Sequence, residues 1–265
     1  MDVQLSNLTG RTCNNIIQCM NALHMAQQTK GTFTFTYDHP VLSTFHVSFV
    51  EDKKKPRTPF KGEFYYSNEC KLDNQGKRIL LQRYIYPYMN IPKSIMYSDM
   101  LVCHVRSGDI CRSKPHSLYV QPPISFYKYV VDTFKYEKIL VVTEPDMQNP
   151  AIQGLVDLYG NRVTVRSSFL VEDIATILHS TDLLFNSQGT FCRILAMMSK
   201  VVKTCYIPYY TKDHADNPYH DLRCLKTTKV YAFLVKNYIV PGDWKFDDNQ
   251  QRMMKTHSIK DIVSL

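Results

Sequence analysis

The sequence predicts an α/β protein of two lobes, the second built on a doubly wound parallel sheet. Three observations predict it. From residue 99 to residue 207, apolar runs of strand length alternate with helical stripes, the grammar of a parallel sheet covered by helices. One such run, Leu101-Val102-Cys103-His104-Val105-Arg106-Ser107-Gly108-Asp109-Ile110, ends abruptly in polar residues. A buried strand reads this way where it delivers groups to the carboxyl edge of a sheet, the edge at which open α/β folds bind ligands. The chain before residue 99 combines a helical stripe with period-2 strands, which makes a separate, smaller α/β lobe.

The first lobe opens on a helix over Asn14–Gln28, whose inward stripe is Ile16, Ile17, Met20, Leu23 and Ala26/Gln27. Phe33, Phe35 and Tyr37 alternate with threonines as a half-buried strand does, and Phe45, Val47 and Phe49 repeat the pattern. Glu51–Gly62 reads as a loop. It carries Lys53-Lys54-Lys55, the one dense basic run, among Glu51, Asp52, Pro56 and Pro59, which makes that run a solvated loop rather than a binding patch. Phe64-Tyr65-Tyr66 and a helical segment near Lys77–Tyr88 follow. Tyr84, Tyr86 and Tyr88 are read as packing between the lobes. The junction falls near Ile91–Asp99, so the first lobe is 1–98 and the second 99–248.

In the second lobe Met100–Val105 is a strand, and Ser125–Tyr136 a helix by its stripe of Tyr127, Val130, Val131 and Phe134. Lys138–Thr143 is the next strand. Asn149–Tyr159 is a helix opening at Pro150, a favoured first helical position. Arg162–Arg166 is a strand; Leu170, Ile174, Ile177 and Leu178 line a helix for which Ser168 is the expected cap. Asp182–Asn186 is a strand, Thr190–Lys200 a helix and Val201–Ile207 the last strand. Beyond Pro208 no period is strong until Asn249–Val263, read as a helix within 249–265 that returns to brace the first lobe.

With 265 residues, 44% hydrophobic and 21% charged, the chain has apolar mass for a full core. Its 32 Lys+Arg against 24 Asp+Glu give a formal charge of +8, which suits nucleic acid, acidic membranes or small phosphorylated ligands without choosing among them. No stretch approaches the ~20 apolar residues of a membrane span, and Met1-Asp2-Val3-Gln4 is not the start of a signal sequence. The eight cysteines form no CxxC pair, and Cys103, Cys192 and Cys205 lie in apolar runs. These features lead us to expect a reduced, cytoplasmic protein without a disulfide framework or zinc site. The Asn7-Leu8-Thr9 sequon is then a chance match.

Three polar constellations fall at turns between these elements. The first is Thr9-Gly10-Arg11-Thr12-Cys13-Asn14-Asn15-Ile16-Ile17-Gln18, a loop feeding a helix. The second is His104-Val105-Arg106-Ser107-Gly108-Asp109, followed by Gln121-Pro122-Pro123-Ile124-Ser125-Phe126-Tyr127. The third is Asn186-Ser187-Gln188-Gly189-Thr190-Phe191, with Val142-Thr143-Glu144-Pro145-Asp146 between them in sequence. Their order resembles the fucosyltransferase-like glycosyltransferases of the GT-B superfamily, which share an HxRxGD-like motif, a middle acidic turn and a late S-x-[ST]-F motif. The resemblance covers roughly Thr9 to Lys200. Cys13 stands where that family usually has glycine, and Arg193 and Ile194 where an aromatic commonly follows the late motif.

The resemblance implies two Rossmann-like lobes (GT-B-like), with 1–98 on the acceptor side and a nucleotide sugar held by the second lobe. It also implies inverting transfer with no metal and no other cofactor. GDP-fucose is the favoured donor and a UDP-sugar such as UDP-xylose the other; the partner is a glycan or glycoprotein hydroxyl. Metal-independent transfer needs arginine and helix N-termini to take the charge of the departing diphosphate. Arg106, with its planar fork of donors, is the expected grip, joined by His104 and Asp109 as catalytic residues. Asn14, Asn15, Glu144, Asn186, Ser187, Gln188, Gly189, Thr190 and Phe191 are the expected nucleotide-sugar contacts. Asp109, Glu144, His24 and Glu69 are all open as the general base.

Plainer readings stand beside these. Arg106 is alternatively an ion-pair partner of Asp109, His104 a core histidine, Ser187–Thr190 a helix cap, and Asn14-Asn15 capping residues. Glu144 and Asp146 are alternatively a metal-binding turn of a GT-A-type enzyme. In another class altogether, a basic nucleic-acid-binding protein fits the charge but leaves the His104–Asp109 turn unexplained.

Overall fold

A computed structural model of the chain describes residues 1–50, 59–64, 72–93, 95–215, 222 and 225–265. Lys53-Lys54-Lys55, Tyr65, Tyr66, Glu69, Cys70 and Cys224 lie outside the described residues. The residues up to 93 contribute β1 (Val3–Leu5), α1 (Thr12–Gln28), β2 (Thr32–Phe35), β3 (Phe45–Ser48), β4 (Phe60–Gly62) and α2 (Asn74–Leu80). α2 runs on as a π-helical turn, Leu81–Ile85, and a 3-10 turn, Tyr86–Tyr88. The strands form a four-stranded sheet in the order β3-β2-β1-β4. β1 is parallel to β2 and β4, and β3 turns back antiparallel with Phe45 opposite Phe35. Phe33, Phe35, Phe45 and Val47 are buried, as their period-2 spacing predicts.

α1 is buried on nearly every side, so its polar Asn15, Gln18, Asn21 and His24 go inside with Ile16, Met20 and Leu23. It lies between the small sheet and a helix of the second lobe. Its buried amides are satisfied: Gln18 donates to the Glu63 carbonyl at 2.6 Å and Asn21 to the Phe64 carbonyl at 2.7 Å, as buried polar groups must be. The inward stripe ends on Ala26, not Gln27, which is exposed.

The rest of the chain runs β5 (Tyr97–His104), α3 (Ile124–Phe134), β6 (Ile139–Val142), α4 (Pro150–Tyr159), β7 (Val163–Arg166) and α5 (Leu170–Leu178). It continues through β8 (Ser180–Phe185), α6 (Phe191–Met198), β9 (Thr204–Tyr209), α7 (Lys212–Ala215), β10 (Lys229–Val235), α8 (Asp248–Thr256) and β11 (Ile262–Ser264). These strands build a seven-stranded sheet, β11-β10-β9-β8-β5-β6-β7, parallel except for β11. Counting β5 as first, the order is that of a doubly wound sheet, 3-2-1-4-5-6 with an antiparallel seventh strand. The chain reverses its direction of winding between β5 and β8, so their carboxyl ends part to form a crevice. α3, α4 and α8 cover one face and α5 and α6 the other; the apolar core of that second face runs unbroken through α1 into the small sheet.

Several boundaries and partners differ from the sequence reading. Ser168 does not cap α5, whose N-cap is Phe169 without a side-chain bond, whereas Asn149 does cap α4, accepting from Ala151 N–H at 3.0 Å. β4 occupies what reads as loop, because three residues give no period to detect. Val201–Ile207 is not the last strand: β10 carries the run Val230–Val235, and β11 follows it. α8 packs on α3 and α4 through Met254, not on the first lobe. Tyr88 stacks on Phe45 at 4.8 Å and Tyr84 meets Phe49 at 5.3 Å, so both rings are packing. All six described cysteines are buried free thiols, and among the described residues no helix is long and apolar enough to cross a membrane.

The stretch before α8 is anchored by Trp244, the one tryptophan of the chain. It is 1% exposed, and its indole N–H donates to the Ile110 carbonyl at 2.9 Å. Gly242 and Trp244 N–H both donate to the Ser117 carbonyl, which ties down the loop between β5 and α3. Trp244→Ala should cost about 3–5 kcal/mol of stability, measured by urea unfolding followed by circular dichroism; a loss under 1 kcal/mol would contradict this anchoring role.

Candidate functional site

The crevice between β5 and β8 opens into a cleft of about 660 Å³. All three sequence constellations reach it: Gly10–Asn15 from the turn before α1 and its first turn, His104 at the end of β5 with Arg106 and Asp109 after it, and Asn186 with Gln188–Cys192 after β8. Glu144 joins them from the loop after β6. Every expected site residue except Ser187 lines the cleft; Ser187 is buried beneath the turn with its hydroxyl unpartnered.

The turn after β5 is lashed to the loop after β6. Ser107 N–H donates to Glu144 Oε2 at 2.6 Å and Gly108 N–H to Asp146 Oδ1 at 2.9 Å. In return Ser107 Oγ accepts from Gln148 N–H at 2.8 Å, and Asn149 Nδ2 donates to the Arg106 carbonyl at 2.8 Å. Glu144 and Asp146 are thus both engaged by main-chain donors. Burial pushes the Asp146 carboxyl up, but the Ser107 hydroxyl and the N–H groups of Gly108 and Gln148 outweigh it and hold the carboxyl below its ordinary range. Among the described residues no group of three or more His, Cys, Asp or Glu is placed to hold a metal.

Arg106 projects from this turn with its side chain only 19% exposed. Its Nη2 donates to both Asp109 oxygens, at 3.0 and 3.2 Å, and its Cζ sits 4.4 Å from the centre of the Tyr119 ring. Nη1 makes no hydrogen bond to a described residue and faces Gly189: a Cβ built there would lie 3.7 Å from it. Gly189 has φ +92, a conformation that side chains resist. Arg11, from the other lobe, pairs with Asp109 Oδ2 at 2.7 Å. Both partners are well exposed, so the pair adds little stability; its effect is to bring a second guanidinium to the cleft. The ion-pair reading of Arg106 is therefore realised with half of its fork still open.

The remaining residues divide by whether their polar atoms are already used. Thr190 Oγ1 donates to Asn14 Oδ1 at 2.7 Å, joining the turn before α6 to α1. Thr190 is the N-cap of α6 in helical backbone and makes no side-chain cap bond, so it is no ordinary cap. Asn14 and Asn15 lie inside the first turn of α1, whose N-cap is Arg11, and Asn15 donates to the Thr9 carbonyl and to Gln18. Asn186 supports the architecture: Nδ2 donates to the Val120 carbonyl at 2.5 Å, and Oδ1 accepts from Tyr210 at 3.0 Å. Cys13, where the resembled family has glycine, is buried with its thiol 3.6 Å from the Phe191 carbonyl. Phe191 lies against the His104 ring at 5.1 Å. Burial and the Arg106 charge push His104 down to about 4, so its imidazole is neutral at neutral pH.

Sequence reasoning misses Asp173. It stands in the first turn of α5 beside exposed Glu172 and lines the cleft with Oδ1 buried and unpartnered. Burial, against the pull of Arg166 and with the push of Glu144 and Glu172, raises its carboxyl to about 7. Nothing in the sequence marks it, since its burial comes from other elements. Thr143 Oγ1 and Gln188 Nε2 of the same wall are also buried without partners, and buried polar groups left unmade cost about 1–3 kcal/mol each. This wall is therefore suited to a polar ligand. Of the other base candidates, Asp109 is held by two arginines, Glu144 by Ser107 N–H, and His24 is buried in α1 away from the cleft lining.

Comparison of the chain with models of known protein families, with curated proteins and with solved structures finds no match in any of the three.

The raised Asp173 carboxyl carries a signed prediction. A folded-state value of about 7 against an ordinary 3.8 means that the native state holds a proton the unfolded chain has released. The associated stability is full below about pH 4 and lost as pH rises through about 7. Asp173→Asn should therefore melt higher than the wild type at pH 8, with the gap closing towards pH 4. Thermal melts across that range check this; a gap that does not change with pH would refute the assignment.

Proposed function

We propose that this protein is an inverting, metal-independent glycosyltransferase that moves a sugar from a nucleotide diphosphate sugar to a hydroxyl of a glycan. The observation that carries the reading is the half-open fork of Arg106 facing the Gly189 turn, at the crevice where doubly wound sheets bind their ligands. A diphosphate there would accept from Nη1 on one side and from the N–H groups leading into α6 on the other. Arg11 adds a second positive charge from the opposite lobe. As the acceptor hydroxyl attacks the anomeric carbon from the far face and gives up its proton to water, the sugar–phosphate bond breaks and its electron pair goes to the diphosphate. Arg106 and the turn would stabilise that growing charge, the part that a divalent ion plays in metal-dependent transferases.

GDP-fucose is favoured over a UDP-sugar by the likeness of the three ordered motifs to the fucosyltransferase-like group. Asp173 supports a guanine base independently. In its ionised form, which prevails above about pH 7, a half-buried carboxylate with an open oxygen pairs well with guanine, whose Watson–Crick edge offers two adjacent N–H donors where uracil offers one. The metal-dependent alternative through Glu144 and Asp146 has less support, because a cation would compete with the N–H groups of Ser107 and Gly108.

Hydrolysis of GDP-fucose to GDP and fucose, followed in EDTA, tests the mechanism. Activity should persist, and Arg106→Ala should lower it about 100- to 1000-fold, the effect typical of a group serving a departing anion. Activity abolished by EDTA and restored by manganese would overturn the arginine-based reading in favour of Glu144 and Asp146. Calorimetry on Asp173→Asn tests the base: GDP affinity should fall about tenfold or more, as expected for lost charge-assisted bonds, with UDP affinity changed less. Equal losses for both nucleotides would remove the case for guanine.

A further inference from the structure

We propose that Tyr119 is a positioning residue, the aromatic platform that holds the Arg106 guanidinium in register with the Gly189 turn; this rests on the reading of the cleft as a diphosphate site. Tyr119 lies outside the sequence constellations, in the loop between β5 and α3. The Arg106 Cζ stands 4.4 Å from the centre of its ring, within the range of a cation–π contact. On the other side the ring borders the turn: a Cβ on Gly189 would come 3.2 Å from Tyr119 Cε1. The same ring thus touches both parts of the anion grip and sets the spacing between them.

The platform is itself fixed. Asn186 Nδ2 holds the carbonyl of neighbouring Val120 at 2.5 Å, Gln121 Nε2 holds the Tyr119 carbonyl at 2.8 Å, and the Ser117 carbonyl is tied to Gly242 and Trp244. His116 packs edge-on against the ring at 5.0 Å. Asn186, expected from sequence to touch the nucleotide, therefore acts through this loop. The chemistry explains why a ring is needed in addition to Asp109. A carboxylate fixes Arg106 by taking its N–H donors, which an arriving diphosphate needs. An aromatic face attracts the cation through its quadrupole and leaves every donor free. Tyr119 can thus hold the fork in place while its hydrogen bonds are handed to the ligand, and that pre-organisation raises affinity.

Calorimetric titration with GDP tests this in a double-mutant cycle. Tyr119→Leu keeps apolar bulk against Gly189 but has no π face; it should weaken GDP binding about tenfold, within the span of cation–π contacts. Tyr119→Phe, which keeps the face and loses only the hydroxyl, should stay within about twofold of wild type by the same reasoning. In an Arg106→Ala background, Tyr119→Leu should cost nothing further, since the ring has no cation left to hold. An equal cost in both backgrounds would show that Tyr119 only shapes the loop, and no cost in the wild-type background would also overturn the proposal. Binding of GDP to the wild type with no coupling between the two residues sinks the Tyr119 role alone. Failure of the wild type to bind either GDP or UDP sinks the diphosphate reading and this inference with it.

Discussion

The site depends on the hydrogen bonds that lash the turn after β5 to the loop after β6. An arginine at the end of a strand is a long side chain on a mobile turn, and by itself would wander. Here Glu144 and Asp146 accept from Ser107 and Gly108, while Ser107 and Asn149 return the favour. Bonds to charged acceptors are the stronger kind, and they close on main-chain atoms, so they fix the path of the turn itself. Arg106 leaves this braced turn already aimed at the crevice. The acidic pair that imitates a metal-binding turn in the sequence is in this structure a bracket for an arginine.

The second constraint is α1. A helix buried on almost all sides cannot be moved without exposing apolar surface on both flanks, so the two sheets share one core rather than meeting across a polar seam. This continuity places Arg11 and Asn14 against the second lobe. Cys13 belongs to the same contact: a thiol packed against the first residue of α6 fills space that glycine would leave open. The cleft is thus a notch in a continuous core, with walls whose spacing is set by packing.

Much of this was legible in the sequence, for physical reasons. β6, β8, β9 and the second half of β5 are buried and read as apolar runs, and helices α3 to α6 show their stripes; that the three constellations share one cleft was implied by the resemblance, since the first of them precedes the alternating part of the chain. What escaped has equally physical causes. β1 and β4 are three residues long, too short for a period. β10 is a plain apolar run that the turn-rich tail around it obscured. Asp173 and Tyr119 take their importance from neighbours distant in sequence: the burial that lifts the Asp173 carboxyl comes from other elements, and the Tyr119 loop is shaped by Trp244. Asn186 lines the cleft, but its side chain is spent on Val120 and Tyr210, a distinction that only hydrogen-bond partners reveal.

The pairing of Asp109 with guanidinium groups from both lobes bears on how the cleft empties and fills. A largely buried cation left without an anion is costly, and such a vacancy would invite collapse or stray phosphate. With Asp109 in place, a polyanion of the proposed kind would exchange with it as the counter-ion of Arg106, and its departure would be the reverse swap. Asp109 would thus spare Arg106 a naked charge whenever no anion is bound, which is the consequence of setting one carboxylate between two guanidiniums.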